Sequence, residues 1–209
     1  MSGRSIDSVI FDIGKVLIRW EPEKLYRTMF RSDAEIAAFL DETGLLARNL
    51  EFDRGEPFAV GIDDLVRRFP HYTDALRAFD TRWIETLNGE IPEAAGILTA
   101  LRKAGIPNFA ITNFAREKFD VALPLFPMLG QFDDIVVSSD VRLIKPDPAI
   151  FRLLIDRRKL DPDRTLFIDD NANNISAARD LGLVTHLFDE ANAGSLTRDC
   201  QVFSLPVDV

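Results

Sequence analysis

Five short β-rich runs punctuate the chain, over residues 9–12, 109–112, 135–138, 166–169 and 183–188. Helical texture separates the later ones. One helix is expected from Pro92, a good first-turn residue, to a stop at Gly105. A second starts at Pro148 and carries Ile150, Phe151, Leu153, Leu154 and Ile155. A third, from about Asn173, sets Ile175, Ala178 and Leu181 on one face and ends at Gly182. This repetition leaves few folds open. Parallel strands need crossovers, and helical crossovers cover both faces of the sheet, so the expected class is an α/β protein with a parallel sheet.

About a hundred residues separate the first run from the second, with no convincing strand among them. That is too long for one crossover, so an inserted helical unit is expected. Ser32 and Glu35 form a capping box ahead of Ile36, Phe39 and Leu40, and Gly44 stops that helix. Further helical patterns cover residues 46–52, 62–69 and 73–87. Trp20, Tyr26, Tyr72 and Trp83 all fall in this insert, where most read as packing of a small helix bundle. Trp20, beside the first strand, is also a candidate wall for a substrate. At 209 residues the chain can bury a core as one domain with an insertion. The expected division is a core of residues 1–17 and 89–209 and a helical cap of residues 18–88.

The net charge of -9 argues against a nucleic-acid partner or a polybasic membrane contact. A single cysteine, Cys200, leaves no internal disulfide and fits a reducing cytosol, so a cytoplasmic location is expected. Residues 1–20 do not read as a signal peptide, because Asp12, Lys15 and Arg19 interrupt the apolar run. No run approaches the length of a membrane span.

In an open parallel sheet, ligands bind beyond the carboxyl ends of the strands, near the point where strand order reverses. The first run ends in Asp12, the second in Thr112 and Asn113. After the third comes Lys145, in "LIKPDPAIF". The fourth, "LFIDDNANN", ends in Asp169 and Asp170, with Asn174 on the following helix. Each residue alone is an ordinary turn or cap residue. Their gathering on one edge, each after an apolar run, points to chemistry. Carboxylates such as Asp12 and Asp170 suit Mg²⁺, which takes one or two carboxylates together with substrate phosphate and water. A lysine near them lowers the cost of keeping Asp12 ionised. Thr and Asn side chains can donate to phosphate oxygens, and Lys145 can neutralise a transferring phosphoryl group. An ionised Asp near such a phosphorus can attack in line and form an acyl phosphate.

These motifs resemble those of the haloacid dehalogenase (HAD) superfamily across essentially the whole chain. "FDIGKVL" resembles its first motif, "ITN" its second, "IKPDPAIF" its third and "FIDDNANN" its fourth. The insert resembles the helical cap of one subclass. Within it, the chain is similar to bacterial α-D-glucose-1-phosphate phosphatases and to the phosphatase domain of soluble epoxide hydrolases. The resemblance implies a Rossmann-like core with strand order 5-4-1-2-3. It also implies Asp12 as nucleophile, with Asp12, the Gly14 carbonyl and Asp170 as Mg²⁺ ligands. Asp169 would act through a metal-bound water. Thr112, Asn113 and Lys145 would hold the phosphoryl group, Lys145 bridging it to Asp12, and Asn174 would support the fourth motif. The implied reaction is Mg²⁺-dependent hydrolysis of a small phosphorylated metabolite, with a sugar 1-phosphate as one candidate.

Most phosphatases of this superfamily carry a second aspartate two residues after the nucleophile, as general acid and base. Here that position is Gly14. A leaving group that departs unaided implies a steep dependence of rate on its pKa. Lys15 reads as a solvent-exposed turn lysine, with a substrate contact as the alternative. Phe52, Arg54 and Trp83 are candidate cap residues for specificity, Arg54 reading more simply as a surface residue. Two rival functions stand beside the phosphatase. A 2-haloacid dehalogenase attacks carbon with the same aspartate and needs no metal, and the pair Asp169–Asp170 argues against it. A non-catalytic phosphate- or protein-binding relative is supported only by Gly14.

Overall fold

A computed structural model of the chain describes residues 5–207. The ends of the expected core, residues 1–4 and 208–209, lie outside the described residues. β1 (Ser8–Phe11) and β2 (Ile18–Trp20) come first. Helices α1 (Pro22–Tyr26), α2 (Asp33–Thr43), α3 (Leu45–Asp53), α4 (Phe58–Arg68) and α5 (Thr73–Thr81) follow. Then come β3 (Leu87–Glu90), α6 (Pro92–Lys103), β4 (Asn108–Thr112), α7 (Arg116–Ala122), β5 (Asp134–Val137) and α8 (Ser138–Val141). The chain continues through α9 (Pro148–Arg158), β6 (Thr165–Asp169), α10 (Ala172–Asp180), β7 (Val184–Leu187) and α11 (Ser195–Val202).

Five strands form one parallel sheet in the order β5-β4-β1-β6-β7. The numbers differ from the expected 5-4-1-2-3 because β2 and β3 stand outside this sheet. With those two left out of the count, the same strands are neighbours. Central β1 sets Ile10 beside Phe109 on one flank and Phe167 on the other. The side chains alternate with period two. Ile10, Phe109, Ile111 and Phe167 share a core with Phe151 and Leu154 of α9 and Ile175 of α10. Val9, Phe11, Ala110 and Ile168 belong to the core on the opposite face, with Ile97 and Leu101 of α6 and Phe119 of α7. Cys200 of α11 is buried there, and that burial pushes its thiol up to about 12. No helix among the described residues is long and apolar enough to cross a membrane.

The insert corrects two expectations. The helix expected over residues 73–87 ends at Thr81, and a 3-10 turn at Trp83–Thr86 and strand β3 take the rest. The stretch read as strandless also holds β2 and β3, paired antiparallel with Ile18 opposite Glu90 and Trp20 opposite Leu87. Tertiary pairing wins over local pattern here. The Glu21 amide donates to Thr86 O (2.7 Å) and the Ile91 amide to Leu17 O (2.8 Å), so each crossing satisfies the other's backbone. Strands of three and four residues are too short to show alternation. The expected borders near residues 17/18 and 88/89 fall in and beside this ribbon.

The remaining insert helices form as their sequences direct. Ser32 Oγ accepts the Glu35 amide (3.2 Å) at the start of α2, and the Glu35 carboxylate accepts the Arg31 amide (2.9 Å). Gly44, at φ +62°, closes that helix in the left-handed region. Inside, Phe58 stacks between Phe52 (4.1 Å) and Phe79 (5.8 Å), while Tyr26 packs edge-on against Phe39 (4.8 Å).

Candidate active site

β1 lies between β4 and β6, so the sheet's switch point sits at its carboxyl end. Asp12 follows β1, and its amide donates to Ile168 O of β6 (2.8 Å). Thr112 closes β4, Asp169 closes β6, and Asp170 comes next. Lys145 arrives on the loop between α8 and α9.

The Lys145 ammonium lies 2.8 Å from Asp12 Oδ1 and 2.7 Å from Asp169 Oδ2. Its side chain is only 1% exposed, so water does little to screen these pairs. The Ile13 amide also donates to Asp12 Oδ1 (2.7 Å). Both bonds fall on one oxygen, and Oδ2 takes none from the described residues. Burial pushes the Asp12 carboxyl up, Lys145 opposes this, and the Asp169 charge adds to it. Burial alone would pull Lys145 down, but Asp12 and Asp169 outweigh it and hold the ammonium above its usual pKa. Burial, and then Asp169, raise Asp170.

Asp169 is fully buried and its oxygens are taken up by the protein. Asn174 Nδ2 lies 3.0 Å from each of them, and the Asn171 amide donates to Oδ1 (2.8 Å). Asn174 thus ties the end of the fourth motif back to its first aspartate. Asn113 has a visible task besides the one expected of it. Its Oδ1 accepts the Lys145 amide (2.8 Å) and its Nδ2 donates to Lys145 O (3.1 Å), which clamps the loop that presents Lys145. Oxygens of Asp12, Asp169 and Asp170 all lie within 4.8 Å of one another.

A cavity of about 240 Å³ opens over this floor. Asp12, Gly14, Thr112, Asn113, Lys145 and Asp170 line it from the sheet edge, and Asn49, Asp53 and Trp83 from the insert. Gly14 leaves open space: a Cβ built there meets nothing within 4 Å. Lys15 is exposed, as its turn reading requires, yet it lines the mouth with its ammonium 5.8 Å over the Trp20 ring. Arg54 is a surface residue paired with Glu51 (2.6 Å). Phe52 is packed inside the insert against Phe58, so of the three candidate cap residues only Trp83 reaches the cavity.

Sequence reasoning passes over Asp53, Asn49, Phe114 and Lys118. Lys118 is buried, donates to Asp80 O (2.9 Å) and to the Asp80 carboxylate, and covers the Phe58 ring (4.3 Å). Asp53 sits between Phe52 and Arg54 at the end of α3. Its burial comes from packing of the insert on the core, which leaves no periodic mark. The one local signal is its i, i+4 relation to Asn49, whose amide donates to it (3.0 Å).

Comparison with known proteins places the chain. Rat bifunctional epoxide hydrolase 2 is 36% identical over 92 residues, 42% of this chain and 17% of that protein. A (S)-2-haloacid dehalogenase of Pseudomonas is 29% identical over 94 residues, 45% of this chain and 41% of its own length. The chain thus matches well under two thirds of either relative. A solved HAD family enzyme of Bacteroides thetaiotaomicron, in complex with magnesium and inorganic phosphate, superposes with a TM-score of 0.74. It is 20% identical and covers 92% of this chain and 99% of its own. The family model for haloacid dehalogenase-like hydrolases matches residues 6–182, from before β1 to past α10 and so through all four motifs. The chain belongs to the haloacid dehalogenase-like hydrolases.

Proposed function

We propose that this hydrolase is a Mg²⁺-dependent phosphomonoesterase acting on a small phosphorylated metabolite, with an aspartyl-phosphate formed on Asp12. The observation that carries the reading is Lys145, fixed by a carboxylate on either side with Asp170 in the same cluster. Three carboxylates against one buried ammonium leave the floor net negative, a poor host for a phosphate dianion unless a cation joins it. The donors are all oxygen, which suits Mg²⁺. Asp12, the Gly14 carbonyl and Asp170 would hold the ion. When bound, it supplies positive charge to the phosphoryl oxygens. The relative solved with magnesium and inorganic phosphate supports this assignment.

Asp12 attacks phosphorus in line, the P–O ester bond breaks, and the phosphoryl group stays on Asp12 as the alcohol departs. Lys145 holds Asp12 ionised and meets the charge on the phosphoryl oxygens. Thr112 and the Asn113 loop bind that group, while Asn174 and Asp169 keep Lys145 in place. Attack on carbon in a haloacid would need no cation, so the acidic pair Asp169–Asp170 favours phosphorus over halide chemistry. A reducing cytosol is the proposed setting, on the strength of the single buried thiol.

The test is phosphate release from a panel of phosphorylated metabolites, with and without Mg²⁺, alongside halide release from 2-haloacids. Phosphate release that needs Mg²⁺ is expected. Asp12→Asn should keep the fold and lose turnover by about three orders of magnitude or more. Metal-independent halide release without phosphate release would overturn the reading.

A further inference from the structure

We propose that Asp53, from the insert, is the proton donor to the leaving group, in place of the carboxylate absent at position 14. This deepens the phosphatase reading and rests on it. Insert residues that line the cavity include Asn49, Asp53, Phe58 and Trp83, and none of the others is a carboxylic acid. Asp53 is the one among them able to give and take a proton at a carboxyl. The cavity's floor holds the attacking Asp12, so the ester oxygen that departs in line points away from Asp12, toward the roof. Asp53 lines the same cavity from the insert.

The floor offers no comparable donor. Lys145 is held in a buried pair by two carboxylates and Lys118 in a part-buried pair by Asp80, so both positive charges are fixed. Lys15 is exposed at the mouth, over Trp20. Asp53 is 7% exposed and its partners are N–H donors: the Asn49 amide at 3.0 Å and the Ala115 backbone. A protonated Asp53 therefore has no protein acceptor for its proton among these groups, and the cavity is its outlet. Burial pushes its carboxyl up to about 7, with the Ala115 and Asn49 bonds and the Lys145 charge pulling back, so protonated and ionised forms are both accessible near neutrality. The backbone is anchored as well, since Ser138 Oγ donates to Asp53 O (2.6 Å) and ties the end of α3 to the end of β5.

The steps balance. Asp12 Oδ bonds to phosphorus as the P–O ester bond breaks, and the departing oxygen takes the Asp53 proton. The alcohol leaves, with aspartyl-phosphate at Asp12 and carboxylate at Asp53. Asp53 then takes a proton from the incoming water as its oxygen bonds to phosphorus and the bond to Asp12 breaks. Inorganic phosphate leaves, and both side chains return to their starting states.

A donor at Asp53 replaces the steep leaving-group dependence expected from Gly14 with a shallow one. The experiment measures kcat/KM for a graded series of phosphate esters, from aryl to alkyl, in the natural protein, Asp53→Asn, Asp53→Glu and Lys15→Ala. Asp53→Asn should lose about 10²–10⁴-fold on alkyl esters and almost nothing on aryl esters with weakly basic leaving groups. Asp53→Glu should restore part of the alkyl rate. An equal loss on every ester would reduce Asp53 to a packing role and overturn the proposal, as would a steepened profile in Lys15→Ala alone. If Asp53→Asn fails to fold, the natural protein's own profile decides: shallow supports the donor, steep overturns it. Failure of the natural protein to release phosphate from any ester would instead sink the phosphatase reading itself.

Discussion

Asp12 and Asp53 are both buried carboxyls on one cavity, and they face opposite demands. Asp12 must be ionised to attack, and the Lys145 ammonium at 2.8 Å serves that end. Burial raises both carboxyls, and at Asp53, which has no ammonium at that distance, the folded pKa of about 7 lies above the ordinary 3.8. The folded chain thus binds this proton more tightly than the unfolded chain. The stability it contributes is whole below the ordinary carboxylate pKa and is lost as pH rises through about 7. Asp53→Asn carries no such proton, so it should gain on the natural protein between pH 5 and 8, by a few kcal/mol at most. Denaturant midpoints at the two pH values check this, and Asp12, present in both proteins, cancels. Stability curves that stay parallel would mean that Asp53 is ionised throughout. Gly14 gives the complementary test. Its backbone is outside the left-handed region and its Cβ direction is open, so Gly14→Asp fits without strain. It should speed alkyl phosphates little in the natural protein and most in the Asp53→Asn background, read again as kcat/KM.

Among the elements, α4 shows how closely the insert is packed. A Cβ on Gly61 would come within 2.3 Å of Phe52 Cε1 and 2.8 Å of Glu56 Oε2. Gly61→Ala should therefore destabilise by about 1–3 kcal/mol, although alanine is the better helix former. A thermal melt decides, and an unchanged or raised midpoint would mean that the Phe52 ring swings away freely. The legibility of each element follows from the same physics. The three central strands are four or five residues long and largely apolar on both faces, α9 begins on Asp147 and Pro148, and α10 stops just before Gly182, so these could be read from sequence. α7, α8 and α11 are short and carry few apolar positions, so periodicity does not mark them. The β2–β3 ribbon depends on partners some seventy residues apart and leaves no local trace. The floor of the site was legible because each group follows a strand. The roof was not, because Asp53, Asn49 and Lys118 owe their places to how the insert settles on the core.

At the scale of the molecule, the acidic floor and its proposed ion set the condition for activity. Chelation with EDTA should abolish phosphate release and Mg²⁺ should restore it. Asp170→Ala should weaken both the rate and the Mg²⁺ affinity measured by titration. Full activity in chelated protein would remove the cation from the mechanism. Contacts that join insert and core across the cavity include Ser138 to the Asp53 carbonyl, Glu117 to the Phe58 amide (2.8 Å), and Lys118 to Asp80. The covalent route between them is narrower still, since the chain leaves on β2 and returns on β3, side by side. Topologically, residues 21–86 are the loop of one long hairpin. Exchanging them for another stretch of any length would leave every neighbour in the parallel sheet unchanged, so the core is a socket and the insert a plug. A transplanted plug would bring its own roof, and with it a different set of walls, a different preference for the alcohol half of the ester, and its own source of the departing proton.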